Sequence, residues 1–154
     1  MARPPVSAEA GAEMDALIEA AMDWRGLTHF AIGHYGADLN ADGMSSVTDK
    51  LEDQLGALAR RAGTDLPTMT VALRDMRIDS DGNRRILSTA TVPRFGEVEV
   101  EWTLTPTQTG YRIADIKALG MTLRQFLRSW VTSLVAAKGG DAAAAFDGVA
   151  ASPR

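Results

Sequence analysis

"GYRIADIKALGMTLRQFLRSW", residues 110–130, starts as a strand and finishes as a helix, with Gly120 near the change of period. Tyr111, Ile113 and Ile116 supply strand-forming side chains. From Leu123 the apolar residues Phe126, Leu127, Trp130, Val131, Leu134 and Val135 recur at spacings of three and four, the signature of an amphipathic helix. Thr122 with Gln125 forms a capping-box pair and explains the abrupt start. A strand that turns sharply into a helix with a broad apolar face predicts a sheet and a helix that covers it.

Working upstream, four strands are expected over 68–78, 84–92, 97–105 and 110–118, separated by the turns DSDGN, PRFG and TPTQTG. The third alternates most cleanly. Val98, Val100, Trp102 and Leu104 point one way, and Glu97, Glu99, Glu101 and Thr103 point the other, so one face of the sheet is dry and one wet. Before Pro67 the period is helical. A first helix covers Ala8 to Met22; Asp23 caps a second, with Trp24, Leu27, Phe30, Ala31 and Tyr35. Asn40 caps a third, with Met44, Val47, Leu51, Leu55 and Leu58, which Gly63 stops. Gly139 ends the long C-terminal helix, and Asp141 caps a short alanine-rich one. The expected fold is α+β: N-terminal helices, a four-stranded antiparallel meander, a C-terminal helix covering the sheet, and an apolar cavity between the layers. Residues 1–7 read as a flexible leader, and 8–154 as a single domain.

With 154 residues, 45% hydrophobic and 23% charged, the composition is that of one ordinary globular domain. The net charge of −4 argues against nucleic acid, whose phosphates demand a basic field. Arg60-Arg61 and Arg84-Arg85 read as a helix end and a turn. The absence of cysteine excludes disulfide and thiolate chemistry. MARPPVSAEAG lacks the apolar core of a secretory leader.

Three constellations are candidates for a site. Asp38, Asn40, Asp42, Gly43, Ser46 and Asp49 match a calcium-loop template, but Ser45 stands where an apolar residue pins such loops and Asp49 where a bidentate Glu belongs. The simpler reading is a turn with Asn40 as helix cap and no metal. His29 and His34, five residues apart, fall on different helix faces and cannot chelate together. Either, beside an acid such as Asp115, would serve an isomerase- or hydratase-type enzyme. Finally, the Trp24–Tyr35 helix, the Trp102 face and the Trp130 helix all need covering, and a space between them would accept lipid-like ligands; a filled core with no ligand is the alternative.

The 110–130 stretch, followed by AAKGGDAAAAFDGV, resembles the MlaC or toluene-tolerance family of periplasmic phospholipid-binding proteins. The matching positions are Tyr111, Ile113 and Asp115 on the strand, Gly120, Thr122 and Leu123 at the turn, and Arg128 and Ser129 on the helix. MDWRGLTHFAIGHY is similar to an upstream family segment through Asp23, Trp24, Ile32, Gly33 and Tyr35. Leu119 departs from the pattern where an acidic residue is usual, as do Thr122 and Leu127. The resemblance implies a non-enzymatic carrier without a cofactor, working in the periplasm after removal of a leader. It would hold a phospholipid or another apolar lipid and pass it between an inner-membrane ABC transporter complex and an outer-membrane lipoprotein complex. The walls expected to touch lipid are Trp24, Leu27, Phe30, Ala31 and Tyr35, then Val98, Val100, Trp102 and Leu104, then Phe126, Leu127, Trp130 and Leu134. Arg124 and Arg128, on the polar side of the last long helix, are candidates for phosphate headgroups or an acidic partner, or are simply solvated.

Overall fold

The computed structural model describes residues 8–62, 70–92 and 95–146. The leader at 1–7, the first two residues of the predicted 68–78 strand and the stop at Gly63 lie outside them. Helices α1 (Ala8–Ala21), α2 (Trp24–Ile32) and α3 (Ala41–Ala62) come first. Strands β1 (Thr70–Ile78), β2 (Arg84–Val92), β3 (Gly96–Thr107) and β4 (Gly110–Ala118) follow, then β5 (Met121–Thr122), α4 (Leu123–Ala137) and α5 (Ala142–Phe146). The sheet is an antiparallel meander in the order β1-β2-β3-β4-β5. It has five strands, one more than the periodicity indicates, because the turn at Leu119-Gly120 returns two residues of chain to pair with Lys117 and Ala118 before α4 starts. Both turn residues have positive φ, 53° and 78°, as a two-residue hairpin turn requires.

Side-chain caps fix most helix starts. Asp23 Oδ1 accepts from the Gly26 amide at 3.1 Å, Asn40 Oδ1 from Gly43 at 2.8 Å, and Asp141 Oδ1 from Ala144 at 3.0 Å. At α4 the capping box is complete: Thr122 Oγ1 accepts from Gln125 N, and Gln125 Oε1 from Thr122 N. Between α2 and α3 the chain forms a single stretch of tighter 3-10 helix, Gly33–Asp38, which begins at a left-handed Gly33.

The core is helical. Leu27 from α2, Val47 and Leu51 from α3, and Leu127, Val131 and Val135 from α4 have no exposed surface, and Phe146 of α5 closes the cluster. Helix α4 lays its buried stripe against α2 and meets the sheet along the β4–β5 edge. The reason lies in a bulge. Thr103 pairs with Asp115 but Leu104 pairs with Ile113, so Ala114 is an extra residue in β4. At that point the outer edge of β4 turns its carbonyls to the helices: Ile113 O accepts from the Asp23 amide at 2.9 Å, and Ala114 O from Arg124 Nε at 3.0 Å. The open strand edge is thereby capped by helix residues.

Candidate functional site: the apolar face of the sheet

Pairing registers determine which side chains share a face. Val98, Val100, Trp102 and Leu104 stand opposite Ala90, Ser88, Ile86 and Arg84 on β2. These in turn stand opposite Val71, Leu73, Met76 and Ile78 on β1. On β4, Ala118, Ile116 and Ile113 complete the face. The middle of this surface is closed: Val100 and Ala90 are buried and Ser88 is fully so. Trp102 Nε1 donates to Ser88 Oγ at 2.8 Å, and Ser88 Oγ donates to Val100 O at 3.2 Å. This diagonal link holds the indole across the strands. Toward β1 the face is bare. Leu73 is 75% exposed and Ile78 63%, with Val71 and Met76 also more than half exposed. A row of large apolar side chains left in water on one sheet face marks a binding surface rather than a finished core.

Twelve of the thirteen residues expected to touch lipid divide into two groups. Trp24, Leu27, Ala31 and Leu127 are buried within the helical core, and Tyr35, Phe126, Trp130 and Leu134 pack against it. Val98, Val100, Trp102 and Leu104 lie on the sheet, outside that cluster. Helices α2 and α4 are close-packed on each other, and Leu27 and Leu127 retain no accessible surface, so neither adjoins a space that admits even water. Phe30 lies apart from both groups. Its ring is covered by the guanidinium groups of Arg128, at 4.0 Å, and Arg124, at 5.4 Å.

Those two arginines are therefore engaged within the fold. Arg128 donates from Nε and Nη2 to Phe30 O, at 3.0 and 2.6 Å. Arg124 is held by the carbonyl of the β4 bulge. Asp115 Oδ1 accepts from the backbone amide of Arg124 at 3.1 Å, filling an orphan donor in the first turn of α4. Residues 110–130 thus share structural jobs: Asp115 and Thr122 satisfy the helix start, Gly120 makes the turn and Arg128 ties α4 to α2. Tyr111 differs, since its ring lies beneath Arg84, 4.4 Å from the guanidinium carbon.

Arg84 corrects the reading of Arg84-Arg85 as a turn. Both belong to β2, on opposite faces. Arg85 reaches Glu101 at 3.2 Å on the wet face, where Arg85, Glu101, Thr103, Asp115, Lys117, Thr122 and Arg124 line a polar cleft of about 310 Å³. Arg84 stands on the dry face. Its position was legible as the continuation of the Ile86-Ser88-Ala90 alternation, a pattern hidden because the turn motif DSDGN runs directly into it.

The remaining candidates resolve locally. Asn40 caps Gly43, as the turn reading requires. Among the described residues no group of three or more acidic or histidine side chains is placed to hold a metal. His29 and His34 are exposed, and His34 stacks on the neighbouring Tyr35 ring at 4.0 Å. Neither hydrogen-bonds to an acid among the described residues, and the Asp115 carboxylate is engaged by backbone amides. No helix is long and apolar enough to cross a membrane among the described residues.

An α+β domain with a closed helical core and an open apolar sheet face is the class that emerges. The MlaC protein family model matches residues 5–145, and the chain belongs to that family. No curated protein matches it. Among solved structures, it is similar to the phospholipid-binding protein from Ralstonia solanacearum in complex with a phospholipid, with a TM-score of 0.73 at 16% identity, over 88% of this chain and 78% of that one.

Proposed function

We propose that this protein is a lipid carrier that shields the acyl chains of a phospholipid against the apolar face of the sheet. The observation that carries the reading is the bare row Val71, Leu73, Met76 and Ile78, continuous with the Trp102 face. Family membership and a phospholipid-bound structural neighbour support it. At about 0.8 kcal/mol per methylene, leaving acyl chains in water costs on the order of 20 kcal/mol, so a lipid crosses an aqueous gap only inside a container. Apolar walls suffice for that task, with neither cofactor nor reactive group. The site of action is the periplasm, between an inner-membrane ABC transporter complex and an outer-membrane lipoprotein complex, as the family implies. Of the wall residues expected from the sequence, the sheet members Val98, Val100, Trp102 and Leu104 make the contact, and the helical members support it from the core.

The test uses the exposure itself. Leu73→Glu and Met76→Glu alter side chains already in water, so folding should change by no more than about 0.5 kcal/mol. Lipid recovered by solvent extraction and mass spectrometry from natively purified protein should be present in the wild type and lost in both variants. A wild type without lipid, or variants that keep it, would overturn the reading.

A further inference from the structure

We propose that Arg84, propped on Tyr111, is the anion-binding end of the lipid site and takes the phosphodiester of a glycerophospholipid; this rests on the carrier reading above. Arg84 opens β2 and faces the same side as Ile86, Trp102 and Leu104, with Ile78 beside it on β1 and Leu104 on β3. Its Nε is buried and has no hydrogen-bond partner. Among the described residues no carboxylate pairs with it: Asp79, near in sequence, accepts the turn amides of Asp81 and Asn83 and lies 3.9 Å from Arg85 instead. Among the described residues its charge meets the Tyr111 ring, which attracts a cation but accepts no in-plane N–H bond.

A guanidinium on an apolar surface with no carboxylate beside it is costly until an anion arrives. Its planar fork matches two phosphate oxygens at once, and stacking on Tyr111 fixes the plane of the fork beforehand. The ladder from Arg84 to Ala90 covers about 20 Å of strand, so a lipid whose phosphate meets Arg84 can lay its chains along the bare row and the Trp102 face. A neutral diacylglycerol would fill the same apolar surface and leave Arg84 unsatisfied. Arg84 therefore selects phosphate-bearing lipids.

Delipidated protein is equilibrated with vesicles containing dioleoyl phosphatidylcholine and dioleoylglycerol, and the bound lipids are extracted and counted by mass spectrometry. The wild type is expected to favour the phospholipid about tenfold, which corresponds to roughly 1.4 kcal/mol. Arg84→Gln should bring that ratio near unity. Arg84→Lys, which retains charge without the fork, should fall between and guards against a Gln variant that does not fold. An unchanged ratio in a folded variant overturns the proposal, as does equal loading of both lipids by the wild type, which leaves the carrier reading standing. Loading of neither lipid overturns the carrier reading itself. Millimolar inorganic phosphate supplies the last arm: if it raises the melting temperature of the wild type but not of Arg84→Lys, while lipid ratios stay equal, the site serves free phosphate and the headgroup assignment fails.

Discussion

The Arg128 guanidinium grips the end of α2 at Phe30 in two ways, donating two hydrogen bonds to its carbonyl and stacking 4.0 Å above its ring. A cation at a helix C-terminus meets both the orphan carbonyls and the negative end of the dipole. Because Arg128 is exposed, the grip is partly screened by water. Arg128→Ala should destabilise the fold by about 1–2 kcal/mol, the sum expected for such a bond and an exposed stack. Arg128→Lys should recover less than half of that, since a point charge cannot bond and stack together. Urea denaturation measures both, and an unchanged midpoint for the alanine variant would contradict the assignment.

Ser88 is the polar keystone of the dry face. Ser88→Ala removes the acceptor of the Trp102 indole N–H, which then stands unpaired on an apolar surface. A cost of about 1–3 kcal/mol is expected, together with altered indole fluorescence from a released ring. Equal stability of the two proteins would mean that water replaces the hydroxyl.

Asn40 tests the calcium-like loop. If its job is capping, Asn40→Ala costs about 1 kcal/mol, whereas Asp38→Ala, at an exposed position, changes little. Calcium at millimolar concentration should then leave the melting temperature where it was, because a ligand of the folded state must raise it. A calcium-dependent rise abolished by Asp38→Ala would restore the metal site.

Leu119 holds a left-handed conformation with 81% of its surface exposed. A branched side chain there is strained, and glycine is not. Leu119→Gly should therefore stabilise the fold by about 1 kcal/mol, read by thermal melting, and should leave the β4–β5 turn intact. A loss of stability would show that the leucine side chain makes a compensating contact.

The sequence by itself determined whatever depends on near neighbours. The caps at Asp23, Asn40, Thr122 and Asp141 are each settled within three or four residues, and the structure places every one of them as read. The Glu97–Leu104 alternation fixed the dry and wet faces of β3 because a strand has a period of two wherever it lies. Resemblance in the 110–130 stretch carried the family, and physically that stretch is one continuous strand–turn–helix unit. Only the tertiary structure decided which apolar face met which. Periodicity says that the stripe of α4 must be covered, not by what, and α2 proved the partner. The bulge at Ala114, which sends β4 carbonyls to Asp23 and Arg124, depends on pairing between strands. The same holds for Arg128 and Phe30, 98 residues apart, and for Arg84, whose solitude on the dry face exists only once four strands are in register. A charge in a sequence carries no mark of the partners it will lack, because burial and pairing are properties of the assembled fold.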